Sequence, residues 1–505
     1  MSDNRGFSSS VRLTLLGLIS VLAAGSAGAQ PVHFCQVHAG SPYCTGGGGG
    51  GGPRVIDIAD FEACGSEPDN SINIQAAINS AGPYDTVLFS CLSPIQNPVV
   101  VDSATHVALV GVSGGGIRLA ANLTAGGDDG FLGPTALLLK YCSNCVVDGV
   151  TFQSAINSTS PRYSGTLLSV EHSDGAGIYN NTFRWVGAAN AALGGAANVG
   201  AEYISNTISD TPTLCRGMWI GNSTVSTYEH QPIIKNNLIQ NTGHSGIGLV
   251  ADLAQVTGNV VQNAAEAGIA LSCWDSVYKT KNALIENNSF LGCNHGIQSD
   301  GTNNLPSPRT ENMTVHNNTC DGNRGTGIYV VNASHWTVTG NHCRNNNSDL
   351  YSSQQPGTGH GIYVDAADNI VIEGNEFSDT QTTRTQTSGV VIRGTEIGPV
   401  TCVTVNNNTI SNNLQDGVFV GTEFQPGQQP PYLHTQSVGV QSNAISGNSN
   451  CGIRHVYSSA NSCTCGSPGT CHTGKVAPLS GNVLTGNGSG NQICGWNTTC
   501  SGVCP

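Results

Sequence analysis

The chain has 505 residues, 66 of them glycine and only 10 % charged, with a net charge of −14. Sparse charge and abundant glycine argue against long solvated helices and favour short strands joined by tight turns. The acidic balance excludes nucleic acid as a general partner, and a polyanionic ligand would need a local basic patch or a bridging cation such as Ca²⁺.

Arg5 and Arg12 precede the apolar run Leu13 to Gly25 and a small-residue site at Ala27 to Ala29. This pattern predicts a signal peptide over residues 1–29 and a secreted protein, extracellular or periplasmic. The run is too short to span a bilayer, and no later segment is long and apolar enough, so no membrane partner is expected. All 19 cysteines follow the cleavage site, which predicts disulfides. The run "CTCGSPGTC" at 463–471 is read the same way rather than as a metal cluster.

Residues 30–52 form a cysteine-containing segment ending in seven glycines, a tether with nothing to bury. The folded domain is expected over 53–490, with a cysteine-rich tail at 491–505. "PDNSINIQAAINSAGPYDTVLFS" opens it: Asp69 or Asn70 as N-cap, a short helix to about Ala81, a Gly-Pro turn, and a strand from Thr86 to Phe89. Such a helix suits the end of a stacked core.

From about Cys142 one unit recurs: an aliphatic strand, Asn-Asn or Gly-Asn, a variable residue, and a large apolar residue. Copies begin at "NNTF" (180) and run through "NNSF" (287) and "GNEF" (374) to "GNVL" (481), at intervals of 22 to 39. Between them stands Gly-apolar-x-apolar, as in "GIGL" (246), "GIYV" (327 and 361) and "GVFV" (417). Each repeat is too small to bury its own face, so stacking of copies must supply the core, in an all-β parallel solenoid of about 10–12 rungs. The second asparagine of each turn, at 181, 206, 237, 259, 288, 318, 341, 375, 408, 443 and 482, should form an amide ladder.

With its opening helix and strand, its Gly-Ile-x-Val strands and its Asn-Asn turns, the chain resembles the right-handed single-stranded parallel β-helix proteins of the pectate-lyase-like superfamily over roughly residues 53–490. The resemblance implies that fold and extracellular polysaccharide chemistry, by β-elimination, hydrolysis or epimerisation at uronic acids. Gly-His-Gly at 359–361 resembles one signature of the polygalacturonases, but "GTGIYVVNAS" before it lacks the companion aspartate and "VIRGTEIG" follows it. Only His360 can inherit a role by that route. The Asp-Pro-His triplet of mannuronan epimerases is not in the sequence.

In the Gly-Ile-x-Val strand the aliphatics point inward, so residues two and four past the glycine point outward. One outward column runs Trp219, Gly248, Ala270, Gln298, Tyr329, Tyr363, Val391, Phe419, Arg454; the next contains Ser272, Asp300, Val331, Asp365 and Arg393. Chemically able groups concentrate at Gln298, Asp300, Tyr329, Tyr363, Asp365 and Arg393, joined by His295 and His360 just before their glycines. Long insertions on both sides of these strands are expected to wall a groove over them.

Two mechanisms fit. His360 or Tyr363 removes the C5 proton of a uronate while Arg393 neutralises the carboxylate, with His295, Gln298 and Tyr329 holding substrate. Alternatively, Asp300 and Asp365, two rungs or about 10 Å apart, act as the acid and base of an inverting hydrolase. The same two aspartates are the expected ligands if Ca²⁺ is used. The leading expectation is a monomeric enzyme cleaving an extracellular polysaccharide, β-elimination slightly ahead of hydrolysis, with uronan C5-epimerisation and a non-catalytic glycan-binding or adhesin-like rod as alternatives. The bland reading keeps Tyr329 and Tyr363 as an aromatic ladder and Asp365–Arg393 as an ion pair. A rival face carries Lys235, Glu286, His316, Thr339, Glu373 and Asn406 on the other strand. Cys320 and Cys343 share a register position on adjacent rungs and are expected to be bonded; Cys35–Cys44 and Cys64–Cys91 are paired by proximity.

Overall fold

The computed structural model describes residues 53–120, 134–154, 166–184, 191–211, 214–221, 229–273, 279–301, 309–347, 359–394, 398–421, 435–456, 479–488 and 493–494. The expected signal peptide, the Cys35–Cys44 pair, the 463–471 cysteines and nearly all of the 491–505 tail lie outside the described residues. No helix among the described residues is long and apolar enough to cross a membrane.

The opening helix is Ser71–Ser80 and the first long strand after it is Thr86–Phe89. Of the two candidate caps, Asn70 makes no side-chain capping bond, and the Asp69 carboxylate takes the Ser71 amide at 3.0 Å. Ile74, Ala77 and Ile78 face the core, and Gln75 is clamped to the strand Val99–Asp102, donating to Val100 O and accepting from Val100 N at 2.8 Å each. The helix therefore closes one end of the stack, where an open rung would otherwise expose apolar side chains and unpaired edge groups.

Among the described residues all pairings between named strands are parallel, in sheets of 27, 14 and two strands. The 14-stranded sheet contributes one strand per rung, so its strands exceed the expected count. Its first three strands, Leu92–Ile95, Gly116–Leu119 and Thr151–Ser154, precede the first asparagine copy and carry no ladder asparagine.

The asparagine ladder is continuous. Each amide oxygen from Asn206 to Asn482 accepts the backbone N–H and the Nδ2–H of the ladder asparagine before it, at 2.8 to 3.1 Å. Nδ2 also donates to a carbonyl of the preceding rung, as Asn259 does to Ile234 O at 2.9 Å. The residue before each asparagine is left-handed, for instance Asn180 at φ 53° and Gly258 at φ 67°, which is why Asn or Gly starts every copy but those at Ser205 and Ser442. A second ladder, Asn323, Asn346, Gln386, Asn413, Asn448 and Asn487, runs beside it.

Cys64 and Cys91 are bonded, with Cα atoms 5.8 Å apart. Cys320 and Cys343 are register partners and wholly buried, yet both are free thiols, against expectation. In-register neighbours on parallel strands send their Cα–Cβ bonds out side by side, which keeps the Cβ atoms near the roughly 4.8 Å strand spacing, beyond the usual disulfide range of about 3.5–4.5 Å.

Candidate functional site

The first outward column forms as expected, each residue pairing in register with the next from Trp219 through Gly248, Ala270, Gln298, Tyr329, Tyr363, Val391 and Phe419 to Arg454. The second column is broken. Asp300 pairs with Ser272, and Val331 pairs with Asp365, but the ladder joining those two halves ends at Gln298–Tyr329. One residue later Ser299 Oγ accepts from Val331 N–H at 2.6 Å and donates to Val331 O at 2.8 Å, so a side chain replaces the backbone pairing. The backbone ladder therefore does not run unbroken from Asp300 to Asp365.

Asp365 and Arg393 do pair in register on adjacent rungs. Tyr363 donates to Asp365 Oδ2 at 3.3 Å, and its ring stacks on Tyr329 with centroids 5.2 Å apart. His295 stacks on the far side of Tyr329 at 4.9 Å, and His360 lies 6.0 Å from the Tyr363 centroid. The expected cluster thus assembles as a file of four rings with a carboxylate and a guanidinium alongside.

Its environment differs from the expected open trough. Tyr363 and Asp365 are 2 % exposed, and His295, Val391, Phe419 and Arg393 are buried as well. Burial dictates the charge states. It pushes the His295 imidazole down to about 4, the Thr326 hydrogen bond and the Glu266 charge opposing it only in part. Burial, with Arg393 nearby, takes His360 down to about 3. Both histidines are neutral at pH 7. The Tyr363 phenol is pushed far above its ordinary range by burial and the adjacent Asp365 charge, so it is a donor and not a base.

Partners separate the two histidines. Thr326 N–H donates to His295 Nδ1 at 3.1 Å, tying that ring to the next rung. His360 Nδ1 is buried without a hydrogen-bond partner, and so is Gln298 Oε1 on the other side of the tyrosines. Two orphaned polar atoms flanking an aromatic stack are suited to a hydroxyl-bearing ligand.

Ca²⁺ fits poorly here. The Asp365 carboxylate already takes a phenolic donor and faces a guanidinium, and among the described residues no three acidic, histidine or cysteine side chains gather as a metal site requires.

Sequence reading missed a second titratable cluster on the same edge. His244 Nδ1 lies 2.5 Å from Glu266 Oε2, and Ser245 Oγ is hydrogen-bonded to both. Glu266 is partly buried, yet hydrogen bonds from His244 and Ser245 and the Arg216 charge hold its carboxyl below the usual range. Arg216 in turn lies over the Trp219 ring at 4.1 Å. Inspecting two residues before each strand glycine, rather than one, would have found His244 and Glu266. The rival face is in register from Lys235 through Thr257, Glu286, His316, Thr339 and Glu373 to Asn406, with His316 Nδ1 2.9 Å from Thr339 Oγ1.

No curated protein matches the chain by sequence. Among solved structures it is similar to the Dettilon tailspike protein, at 14 % identity over 78 % of this chain and 68 % of that one, with a TM-score of 0.52. It is also similar to the catalytic unit of a GH87 α-1,3-glucanase from Streptomyces thermodiastaticus, at 14 % identity over 88 % and 72 %, with a TM-score of 0.50. Tailspike protein 3 of bacteriophage CBA120 matches at 12 % identity and a TM-score of 0.48; the match covers 85 % of this chain and 61 % of that protein. At such identities the likeness is one of fold. The profile of the right-handed β-helix region matches residues 133–290 and 276–464, more than half of the sequence, and the chain belongs to that family.

Proposed function

We propose that the chain is a secreted polysaccharide-active enzyme whose site is the Tyr329–Tyr363 stack with His360, Asp365 and Arg393, and that it cleaves a uronate polymer by β-elimination. The observation that carries this reading is the pair of unpartnered buried atoms, His360 Nδ1 and Gln298 Oε1, on either side of the stacked tyrosines. The α-1,3-glucanase of similar fold lends support to a polysaccharide substrate in general.

The roles follow from the charge states. Arg393 neutralises the uronate carboxylate and so acidifies the C5 proton. A neutral His360 has a free lone pair to take that proton; it is a weak base beside Arg393, and the substrate carboxylate offsets that guanidinium charge and strengthens it. Tyr363, held protonated and hydrogen-bonded to Asp365, delivers its proton to the departing C4 oxygen. Hydrolysis by Asp300 and Asp365 is the alternative; the backbone ladder between their rungs is interrupted after Gln298–Tyr329. Burial of the stack favours one second reading, a glycan-binding rod in which the rings are structural.

Incubation with a panel of uronans and neutral glycans tests this, following ultraviolet absorbance of the unsaturated product and reducing ends separately. Both signals should rise together on a uronan. Reducing ends without absorbance would replace elimination by hydrolysis, a change of uronate configuration without cleavage would indicate epimerisation, and silence throughout would leave the binding rod.

A further inference from the structure

Two pairs of adjacent thiols occupy the core, and their geometry differs. Cys320 and Cys343 stack in register on parallel strands, their sulfurs also in hydrogen-bonding contact, with Cys293 a third buried thiol in their field. Cys142 and Cys145 instead belong to one bend, "CSNC", between the strands Thr135–Lys140 and Val146–Asp148. Ser143 is anchored to the rungs on both sides, by bridges to Thr105 and Asp174, and Tyr141 and Asn144 take φ of 51° and 52°. This fixed bend turns both cysteines inward, where they are 2 % and 1 % exposed. Cys142 Sγ reaches Val101 O and Cys145 Sγ reaches Ala104 O, each at 3.6 Å on the preceding rung, and the two sulfurs are in hydrogen-bonding contact with each other.

We propose that Cys142 and Cys145 form a disulfide across this bend by exchange with a donor disulfide of the glutathione or dithiol-oxidase class, while Cys293, Cys320 and Cys343 remain thiols. Side chains converging from one bend can bring their Cβ atoms into disulfide range without moving a strand, whereas the stacked pair cannot close without shifting one rung on another. With Cys145 attacking first, the exchange runs in two steps. The Cys145 thiolate attacks the donor disulfide and expels one donor thiolate. Cys142 then loses its proton and attacks the Cys145 sulfur, expelling the second. The protein loses two hydrogens and two electrons, and the donor gains two thiols. Because the pair is buried in the folded chain, the exchange belongs to folding in an oxidising compartment, before the rung closes.

The test is denaturation of the full chain, refolded with glutathione disulfide or recovered from an oxidising export compartment, in iodoacetamide without reductant, followed by peptide mass spectrometry. The expected result is an unlabelled 142–145 peptide two hydrogens lighter than its dithiol form, with Cys293, Cys320 and Cys343 labelled in the same sample. C145S should add one labelled thiol, at Cys142, absent from the wild type. Because labelling follows denaturation, the readout does not depend on the variant folding well. Full labelling of Cys142 and Cys145 in the wild type, or a Cys320–Cys343 bond in place of theirs, overturns the proposal.

Discussion

Tyr363 donates a hydrogen bond at 3.3 Å to Asp365, two residues along the same strand, and both side chains are 2 % exposed. Residues two apart share a strand face, so the carboxylate aims the phenol while Tyr329 packs on its ring. Y363F keeps the stack and removes the proton. If the phenol is the acid for the leaving oxygen, kcat on a uronan falls about 100-fold or more with KM little changed. Stability should fall by about 1.5–3 kcal/mol. Steady-state kinetics with a thermal melt of the same variant separate the two effects, and an unchanged kcat removes Tyr363 from the chemistry.

Arg393 is assigned to the substrate carboxylate, so its removal should discriminate by substrate charge. R393Q gives up a charge-assisted contact of about 1.5–3 kcal/mol, roughly a 10- to 150-fold rise in KM for a uronan. Binding of a neutral glycan should hardly change. Isothermal titration with both ligands on a variant shown by circular dichroism to be folded checks this; equal loss on both would make Arg393 structural, the partner of Asp365 across the rungs.

The ladder asparagines invite a positional comparison. Asn318 accepts from Asn288 N–H and Nδ2–H and donates to Asn341 Oδ1 and Ile285 O. N318A strands a buried backbone N–H and should cost about 2–4 kcal/mol, since each unsatisfied buried group costs about 1–3 kcal/mol. Asn482, the last member, is only partly buried. N482A should cost less than half as much in urea unfolding, and equal costs would show that the ladder does not work link by link.

Much of this was legible because the repeat is written in single letters. The turn residues need no tertiary context: Asn318 and Asn341 announce the ladder, and Gly361 announces a place where a Cβ would meet Gly389 O at 2.6 Å. The second ladder was equally legible and overlooked, since Asn323, Asn346, Asn413, Asn448 and Asn487 each stand five residues past a first-ladder asparagine. The break at Ser299 was not, because "GIQSDG" obeys the same alternation as its neighbours and the hydroxyl's capture of Val331 N–H is a tertiary event. Nor was the burial of Tyr363 and Asp365, which an outward position in one strand does not determine.

Glu229 supplies the sharpest pH prediction. It lies at 0 % exposure, accepting from Asn198 N–H and Nδ2–H and from the Tyr203 hydroxyl, at the end of a short interior ladder that starts at Ser173. Burial outweighs these bonds and lifts its carboxyl to about 7 from 4.5. Between those values the folded chain keeps a proton that the unfolded chain has released, so stability declines as pH rises through the window and is level above it. The decline due to this one group is on the order of 3 kcal/mol. His295, His360 and His455, held at about 4, 3 and 4, act in the opposite sense: below their ordinary 6.5 the unfolded chain takes up protons that the folded chain refuses, and stability falls towards acid. Their contribution is common to wild type and E229Q, so the difference between the two isolates the glutamate. Urea unfolding of both proteins from pH 4.5 to 8 should show the wild type losing ground to E229Q by about 3 kcal/mol up to pH 7 and none beyond. A pH-independent difference would mean that Glu229 is already ionised at the bottom of the window, held by Asn198 and Tyr203 as a charged member of the ladder.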